Sequence, residues 1–303
     1  MANKYVKSFN FGGDTLYPLP IISDKHNGMV IKVVNGGWAV KDLIPIPGIR
    51  AADGTLTTWD DLVVEGLITL SEDGTEITYY GDSLAGDLVI PDSVESIGPY
   101  AFQECSSLTS VTIPDSVTDI DYGAFFRCEA LTSVVIGNSV TSIGNSAFES
   151  TNLTSVVIPD SVTYIGNYVF ADCTNLTSVV ISNSVTNIDK GVFAYCSALT
   201  SVIIPDSVTY IDDSAFAECT NLTSVVIGNS VTDIDSNVFS NCSALTSVVI
   251  PDSVTYIGDS AFAYCSALTD VYYTGTEEQW AAITIDYDND PLTSATIHYN
   301  YTA

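Results

Sequence analysis

The chain has 303 residues, of which 46% are hydrophobic, and its 37 acidic residues against 8 basic ones give a formal net charge of −29. Such an acidic surface repels phosphate, which excludes most nucleic-acid-binding functions, and the high content of Val, Ile and Leu excludes a disordered chain. No apolar run reaches the roughly 18–20 residues of a membrane span, and the first residues lack the apolar core of a signal peptide. We therefore expect that the protein does not insert into a membrane and that it is made and kept in a cytosol or released from one by lysis.

The N-terminal segment, residues 1–48, is predicted to be a small β-rich module that docks to another protein. Its residues 28–43 are typical of two short strands around an Asn-Gly-Gly turn, with Trp38 as a core anchor. The first fifty residues carry six basic side chains against three acidic ones, whereas the rest of the chain carries two against 34. This contrast favours separate roles for the two parts, and Trp38, Lys32 and Lys41 are the candidate docking residues. The alternative is a simple cap with ordinary surface lysines.

Residues 49–84 are predicted to be a linker followed by an N-terminal cap. The stretch 44–55, IPIPGIRAADGT, is rich in Pro, Gly and small residues, as expected of a hinge. The apolar residues of 56–84 are expected to cover the first unit of the repeat, and Ile77–Tyr80 and Leu88–Ile90 to be strands that lead into it.

Residues 85–267 are predicted to form an eight-unit solenoid. A phenylalanine recurs every 23 residues, with a single interval of 22, at Phe102, Phe125, Phe148, Phe170, Phe193, Phe216, Phe239 and Phe262. A fixed period of this length indicates a solenoid in which each unit packs only against its neighbours.

Each unit is predicted to contain one short strand and one tight segment. In Leu176–Ile181, alternation points Leu176, Val179 and Ile181 inward, and Pro or Gly ends the strand in most units. The Ala-Phe-x-x-Cys segment that follows has helical or 3₁₀ spacing, which returns Phe and Cys beneath the sheet. The expected fold is therefore a solenoid with a parallel β-sheet, 23-residue repeats and short helical or 3₁₀ segments.

The repeat, L-x-x-V-x-I-P-x-x-V-x-x-I-G-x-x-A-F-x-x-C, resembles the BspA-like leucine-rich repeat family over residues 88–267. Residues 268–303 resemble the closing cap of that family, in which an aromatic plug such as Trp280 shields the last rung. The resemblance implies a non-enzymatic binding surface, found on adhesins and other surface-displayed proteins.

Two ladders of side chains are candidate ligand-binding surfaces. Every second unit carries Pro-Asp-Ser-Val-Thr-Tyr-Ile, which aligns Tyr164, Tyr210 and Tyr256 along one flank, where they could stack on sugar rings or pack against a partner protein. The outward strand position forms an apolar ladder of Thr112, Val135, Val157, Val180, Ile203, Val226 and Val249. Strand propensity alone is the alternative explanation for both ladders.

A third candidate surface is the variable position directly before the cysteine. Its occupants include Tyr195 and Tyr264, together with charged and amide side chains at Glu104, Arg127, Asp172, Glu218 and Asn241. Such variety fits a position that encodes specificity, or one that is simply unconstrained.

The sequence argues against an enzyme, a metal site and a cofactor. The seven cysteines share one repeat position without any C-x-x-C, and an odd number of equivalent thiols argues against a scheme of disulfides, so we interpret them as small buried hydrophobic residues. Only two histidines are present, and no phosphate loop, dinucleotide fingerprint or H-E-x-x-H occurs. Scattered aspartate pairs such as Asp212 and Asp213 lack a calcium-loop pattern.

Residues 1–20 and 28–43 together resemble the N-terminal attachment segments of bacteriophage fibre or appendage proteins. This resemblance implies a display protein of a phage virion that docks to the particle through residues 1–48, binds a host-surface protein or glycan through the solenoid, and is a homo-oligomer such as a trimer. The competing hypothesis is a BspA-like adhesin or interaction module on the bacterial surface or in secreted form. A glycan-cleaving enzyme with paired carboxylates is a third.

Overall fold

A computed structural model describes residues 10–11, 14–15, 29–31, 43–45, 48–50, 56–64, 66–78 and 84–302 of the chain. The candidate docking residues Lys32, Trp38 and Lys41 lie outside the described residues. In the N-terminal segment, β1 (Asn10–Phe11) pairs antiparallel with β2 (Asp14–Thr15), and β3 (Met29–Ile31) pairs antiparallel with β4 (Leu43–Pro45).

The remainder is a solenoid with two ladders of parallel strands. The first ladder, here the long-strand face, consists of β8 (Ala85–Val89), β10 (Ser107–Thr112), β12 (Ser133–Val135), β14 (Ser155–Val157), β16 (Ser178–Val180), β18 (Ser201–Ile203), β20 (Ser224–Val226), β22 (Ser247–Ile250), β24 (Asp270–Tyr273) and β26 (Thr296–His298). The second ladder, here the short-strand face, consists of β7 (Glu76–Ile77), β9 (Ser96–Ile97), β11 (Asp119–Ile120), β13 (Ser142–Ile143), β15 (Tyr164–Ile165), β17 (Asn187–Ile188), β19 (Tyr210–Ile211), β21 (Asp233–Ile234), β23 (Tyr256–Ile257) and β25 (Thr284–Ile285). The predicted leucine-rich repeat solenoid is confirmed.

Strand pairing follows the sequence repeat, because equivalent residues of successive units are hydrogen-bonded neighbours. Pairing along the long-strand face is interrupted between β12 and β14 and again between β16 and β18. The first interruption coincides with the unit that is one residue shorter, in which Thr151 occupies the place that cysteine takes in the other units.

The core is a stack of equivalent apolar side chains, with one phenylalanine from each unit at its centre. Successive phenylalanine rings lie 5.0–5.6 Å apart between centroids, and all but the last pair are nearly parallel. Each unit also buries Leu, Val and Ile from its strands. No unit closes a core alone, so the burial of each phenylalanine depends on both neighbouring units.

The seven cysteines are buried thiols in a second stack. Six of them donate the Sγ–H group to the carbonyl of the phenylalanine one unit earlier, as Cys196 does to Phe170 at 3.2 Å and Cys265 to Phe239 at 3.1 Å. The thiol therefore serves as a small apolar side chain that also satisfies a buried carbonyl.

The segment around each phenylalanine, predicted as helical or 3₁₀, is instead a series of overlapping four-residue turns. In the first unit, Ala101, Gln103 and Cys105 donate backbone N–H groups to the carbonyls three residues earlier, while Tyr100 and Phe102 donate to the next unit. A helix cannot continue here because Tyr100 and Glu104 have left-handed backbones, with φ of 57° and 58°. Alternate amides thus bond within the turn and across to the neighbouring unit.

The N-terminal end of the solenoid is closed by antiparallel strands and one helix. β5 (Gly48–Arg50) pairs with β8 on one side and with β6 (Leu56–Thr58) on the other. Helix α1 (Trp59–Val64) follows, and Thr58 accepts the Asp61 amide at 3.3 Å as its cap. Leu62 and Ile68 are buried against the first unit. A reversed strand of this kind covers an edge that would otherwise pair with another chain.

The C-terminal end is closed by two short helices, α2 (Glu277–Trp280) and α3 (Asp290–Ser294). Trp280 packs edge-on against the buried Tyr273, with the ring centroids 5.1 Å apart. The buried Asn289 accepts the Phe262 amide at 2.9 Å and donates to the Gly258 carbonyl at 2.9 Å. Its side-chain oxygen thereby replaces the backbone carbonyl of the next unit, which accepts the phenylalanine amide elsewhere in the solenoid.

Candidate interaction surfaces

The long-strand face presents an exposed column of aliphatic side chains. Val157 pairs with Val180 in register, and Ile203 pairs with Val226, which pairs with Val249. Val135, Val157, Val180 and Ile203 are exposed over more than half of their surface, with Ile203 at 70%. The structure thus places every residue of the predicted apolar ladder in one column facing solvent, with Thr112 and Val249 half-buried at its ends.

Two hydroxyl columns run beside the aliphatic column, both on the side where the strands begin. A serine column runs from Ser110 to Ser247, with Asp87 and Asp270 as its in-register neighbours at the two ends. In the adjacent threonine column, hydroxyls donate to the carbonyl one unit earlier, as Thr223 does to Thr200 at 2.9 Å. Between Asp87 and Asp270, the outward positions of the long-strand face carry no charge.

Exposed carboxylates border this uncharged face where five of the strands end. They belong to the residue that follows the proline of each of these units: Asp92, Asp115, Asp160, Asp206 and Asp252. The face therefore combines an apolar, uncharged centre with an acidic border. The uncharged centre stands out because the molecule as a whole carries a charge of −29.

The tyrosine row predicted along one flank lies on the short-strand face. Tyr210 and Tyr256 are on either side of Asp233 in the register, so they occupy alternate units as expected. The Tyr210 hydroxyl donates to Asp235 and the Tyr256 hydroxyl donates to Asp286 at 2.7 Å.

Both of these hydroxyls are held by carboxylates, which limits what they can offer to a ligand. Burial and the Asp235 hydrogen bond raise the pKa of Tyr210, and the hydrogen bond to Asp286 raises the pKa of Tyr256. Tyr164 is half exposed at the start of the row. Two of the three tyrosines therefore have a structural role in joining adjacent units.

The variable position before each cysteine forms a third row on the turn edge of the solenoid. All eight of its residues have left-handed backbones, with φ between 56° and 62°: Glu104, Arg127, Ser150, Asp172, Tyr195, Glu218, Asn241 and Tyr264. Arg127 and Glu104 form an exposed ion pair at 4.0 Å, and Asn241 donates to Glu218. Tyr195 and Tyr264 are 51% and 76% exposed.

Sequence reasoning missed an aromatic cluster that ends the long-strand face. Tyr272 continues the aliphatic column in register with Val249, and its ring stacks on His298 with a centroid separation of 4.7 Å. His298 contacts Asp270 at 2.7 Å, and that hydrogen bond lowers the pKa of the carboxyl. Extending the repeat alignment by one unit, to Leu268–Tyr273, would have revealed Tyr272.

The described residues contain no group of three or more His, Cys, Asp or Glu side chains placed to hold a metal ion. In the same part of the chain, no helix is long and apolar enough to cross a membrane.

The chain was compared with known protein families, and one of them matches most of its length. The model of the BspA type leucine rich repeat region matches in six copies, over residues 76–200, 141–269 and 187–298. No curated protein matches the chain.

Solved structures with the same kind of repeat are also similar. A leucine-rich repeat protein from Bacteroides ovatus is 24% identical with a TM-score of 0.54, covering 96% of this chain and 78% of its own. A leucine-rich repeat protein of T. pallidum is 26% identical with a TM-score of 0.47, covering 66% of this chain and 86% of its own. A leucine rich cell surface protein from Faecalibacterium prausnitzii is 25% identical with a TM-score of 0.34, covering 94% and 99% respectively.

Proposed function

The chain belongs to the BspA-type leucine-rich repeat family, and from this premise we propose that it is a non-enzymatic protein-interaction module that binds its partner on the long-strand face. The observation that carries the proposal is the uncharged face with its exposed aliphatic column, from Val135 to Val249, in a molecule of charge −29. Contiguous exposed apolar surface on a soluble protein marks an interaction site.

The composition of the face defines the kind of partner that fits it. Protein interfaces combine an apolar centre with a polar rim, and here the centre is the aliphatic column and the rim is the aspartate border that includes Asp160, Asp206 and Asp252. A partner with an apolar stripe beside basic side chains is complementary to both. Long-range attraction between the acidic solenoid and such a partner accelerates association and weakens as salt rises.

The same family resemblance supports display on a bacterial surface or secretion in preference to a virion. The phage hypothesis depends on residues 1–48, most of which lie outside the described residues. Protease added to intact producing cells tests the location. Degradation of the chain before cytosolic markers supports surface display, recovery from the medium supports secretion, and protection until lysis contradicts both.

Photo-crosslinking tests the proposed binding face and captures the partner in the same step. A photoreactive residue replaces Val180 or Ile203 on the long-strand face, and the exposed Asn187 on the short-strand face provides the matched control. We expect one cell-surface protein to be captured from both long-strand positions and from neither the unmodified chain nor the control. Equal capture from all three positions contradicts the proposal.

The captured protein is then purified and titrated against a double variant, Val180→Thr with Ile203→Thr. Threonine keeps the β-branched shape and the strand propensity but removes apolar surface. Loss of two aliphatic contacts is expected to weaken binding by about tenfold or more, with Asn187→Ser as the neutral control. An unchanged Kd excludes this face as the binding site.

For residues 1–48 we propose a docking role, with the basic charge of the segment as its support. Light scattering of the full chain and of a chain that begins at Gly48 tests it. The truncation retains β5, which closes the first unit of the solenoid. An oligomer such as a trimer that becomes monomeric on truncation supports docking through this segment, whereas the same number of chains per particle before and after truncation contradicts it.

A further inference from the structure

The turn edge of the solenoid holds two tyrosines in a backbone conformation that disfavours them. At φ of 61° and 59°, Tyr195 and Tyr264 have left-handed backbones, a conformation in which a bulky side chain is a clear outlier and glycine is the least costly residue. Yet none of the eight units uses glycine at this position. Hydrogen bonds to the next unit hold this backbone in the repeat, as the Tyr195 amide donates to the Ala217 carbonyl at 2.8 Å, so only the side chains can explain why tyrosine occupies 195 and 264.

Tyrosines at another left-handed position of the turns have a structural explanation that these two lack. Tyr100 and Tyr168 lie over Gly123 and Gly191 of the next unit, where an added Cβ would meet their rings at 2.4 and 2.3 Å. Among the described residues, the side chains of Tyr195 and Tyr264 form no hydrogen bond and no aromatic pair, and they are 51% and 76% exposed. Neither a hydrogen bond nor ring packing within the solenoid therefore accounts for the tyrosines at 195 and 264.

The residues between the two tyrosines are polar and lie in the same row. Glu218 and Asn241 occupy the two intervening units, and the Asn241 amide donates to the Glu218 carboxylate. Since units stack about 4.7–4.9 Å apart, Tyr195 and Tyr264 are separated by three such steps along the edge. One step is close to the length of a sugar unit in an extended β-linked chain.

We propose that this turn edge, from Asp172 to Tyr264, binds a neutral linear glycan that runs along the solenoid axis. The exposed rings of Tyr195 and Tyr264 would stack on the apolar faces of two pyranose units. The Glu218 carboxylate and the Asn241 amide would bond the hydroxyls of the sugars between them. The net charge of −29 selects against acidic polysaccharides.

This site is separate from the protein-binding face of the proposed function, in position and in ligand class. The long-strand face uses aliphatic side chains on strands, whereas the glycan site uses aromatic and polar side chains on turns. The two proposals can therefore fail independently.

Electrophoresis of the whole chain in native gels that contain a soluble polysaccharide tests the inference. The probes are a β-1,4-glucan, a β-1,3-glucan, an α-1,4-glucan and a β-1,4-mannan, with polygalacturonate as the anionic control. We expect retardation by at least one neutral polysaccharide and none by polygalacturonate. No retardation by any of the four neutral probes overturns the proposal.

The double variant Tyr195→Gly with Tyr264→Gly separates a binding role from a structural one. Glycine relieves the left-handed strain, so the melting temperature should be maintained or rise while the dissociation constant for the retarding glycan increases at least tenfold. The variant Tyr195→Phe with Tyr264→Phe keeps the rings and should bind within about threefold of the wild type. Tyr287→Gly, at an 84% exposed tyrosine outside the row, should leave binding unchanged.

Three results would contradict the site. Retained glycan binding by the glycine variant would place the ligand elsewhere, and a fall in its melting temperature would give the tyrosines a structural role. Equal loss of binding in the Tyr287→Gly control would indicate unspecific contact through exposed aromatic rings.

Discussion

The phenylalanine stack stabilises the solenoid through side chains that contact both neighbouring units. Phe193 is fully buried between Phe170 and Phe216, with ring centroids 5.6 and 5.3 Å away. We expect Phe193→Ala to lower the free energy of unfolding by about 3–5 kcal/mol, because it leaves a cavity bordered by two rings that cannot move into it. Urea denaturation followed by circular dichroism measures the loss.

Cys196, in the same unit, is the matched control. Its thiol is small and makes one weak hydrogen bond, to the Phe170 carbonyl at 3.2 Å, so Cys196→Ala is expected to cost only about 1 kcal/mol. If both variants lost a similar free energy of unfolding, the two stacks would stabilise the fold equally. That result would contradict our expectation that the larger buried area of phenylalanine makes its stack the more stabilising one.

At the level of single residues, the sequence predicted which side chains are inside but not the backbone that places them. The recurrence of Phe and Cys identified both buried stacks because burial repeats with the unit. The left-handed position before each cysteine has no matching signal, since residues such as Arg127, Tyr195 and Glu218 occupy it in place of glycine. Its residue types vary because hydrogen bonds to the next unit fix the backbone there.

The C-terminal cap is the element that prevents the last unit from separating. Asn289 supplies the acceptor for the Phe262 amide and a second donor for the Gly258 carbonyl, which also accepts the Ala261 amide. Asn289→Ala leaves the buried Phe262 amide without a partner, and we expect a cost of about 1–3 kcal/mol that is concentrated in the last units. Amide hydrogen exchange should show lost protection at Phe262 and little change at Phe125.

A substitution on the exposed side of the same cap provides the comparison. Thr293→Ala removes a hydroxyl that bonds only carbonyls of its own helix, so amide protection at Phe262 should persist. Uniform loss of protection across all units in Asn289→Ala would contradict a local cap and indicate a fully cooperative solenoid.

At the level of elements, repetition made the strands and the general position of both caps predictable. Trp280 was recognisable as a plug because aromatic residues that break a repeat commonly end a solenoid. The role of Asn289 could not be read from the sequence, because it depends on a side chain taking the place of the backbone of an absent unit. The same limitation applies to the reversed strand β5, whose pairing with β8 joins distant residues.

The whole molecule separates charge from apolar surface. Acidic side chains occupy the turns and the strand ends, while the outward positions of the long-strand face carry only Ser, Thr, Val and Ile between Asp87 and Asp270. Composition predicted the acidity, and the repeat predicted the solenoid and its outward apolar ladder, but only the structure shows that the acidic side chains leave this face uncharged between Asp87 and Asp270. A field of this sign repels other acidic surfaces and attracts basic ones.

The buried thiol stack makes the stability of the whole solenoid sensitive to alkaline pH. Burial raises the pKa of five of the thiols above their ordinary value of 9.0. The pKa rises to about 11 for Cys173 and to about 12 for Cys219 and Cys265, and it is also raised for Cys196 and Cys242. Above pH 9 the unfolded chain loses thiol protons that the native chain retains. The unfolded state then binds fewer protons, so stability falls as pH rises.

Each such thiol contributes up to about 1.4 kcal/mol per pH unit, so five of them give a slope of up to about 7 kcal/mol per pH unit above pH 9. Urea denaturation at intervals between pH 8 and pH 11 measures the slope, and Cys219→Ala should reduce it by up to about 1.4 kcal/mol per pH unit in that range. Alkylation of the cysteines by a thiolate-selective reagent should become rapid only together with unfolding, because the native stack has no room to hydrate five thiolates. Thiolate formation in a chain that stays folded, or a stability that is flat from pH 9 to pH 11, would contradict the buried neutral state of the stack.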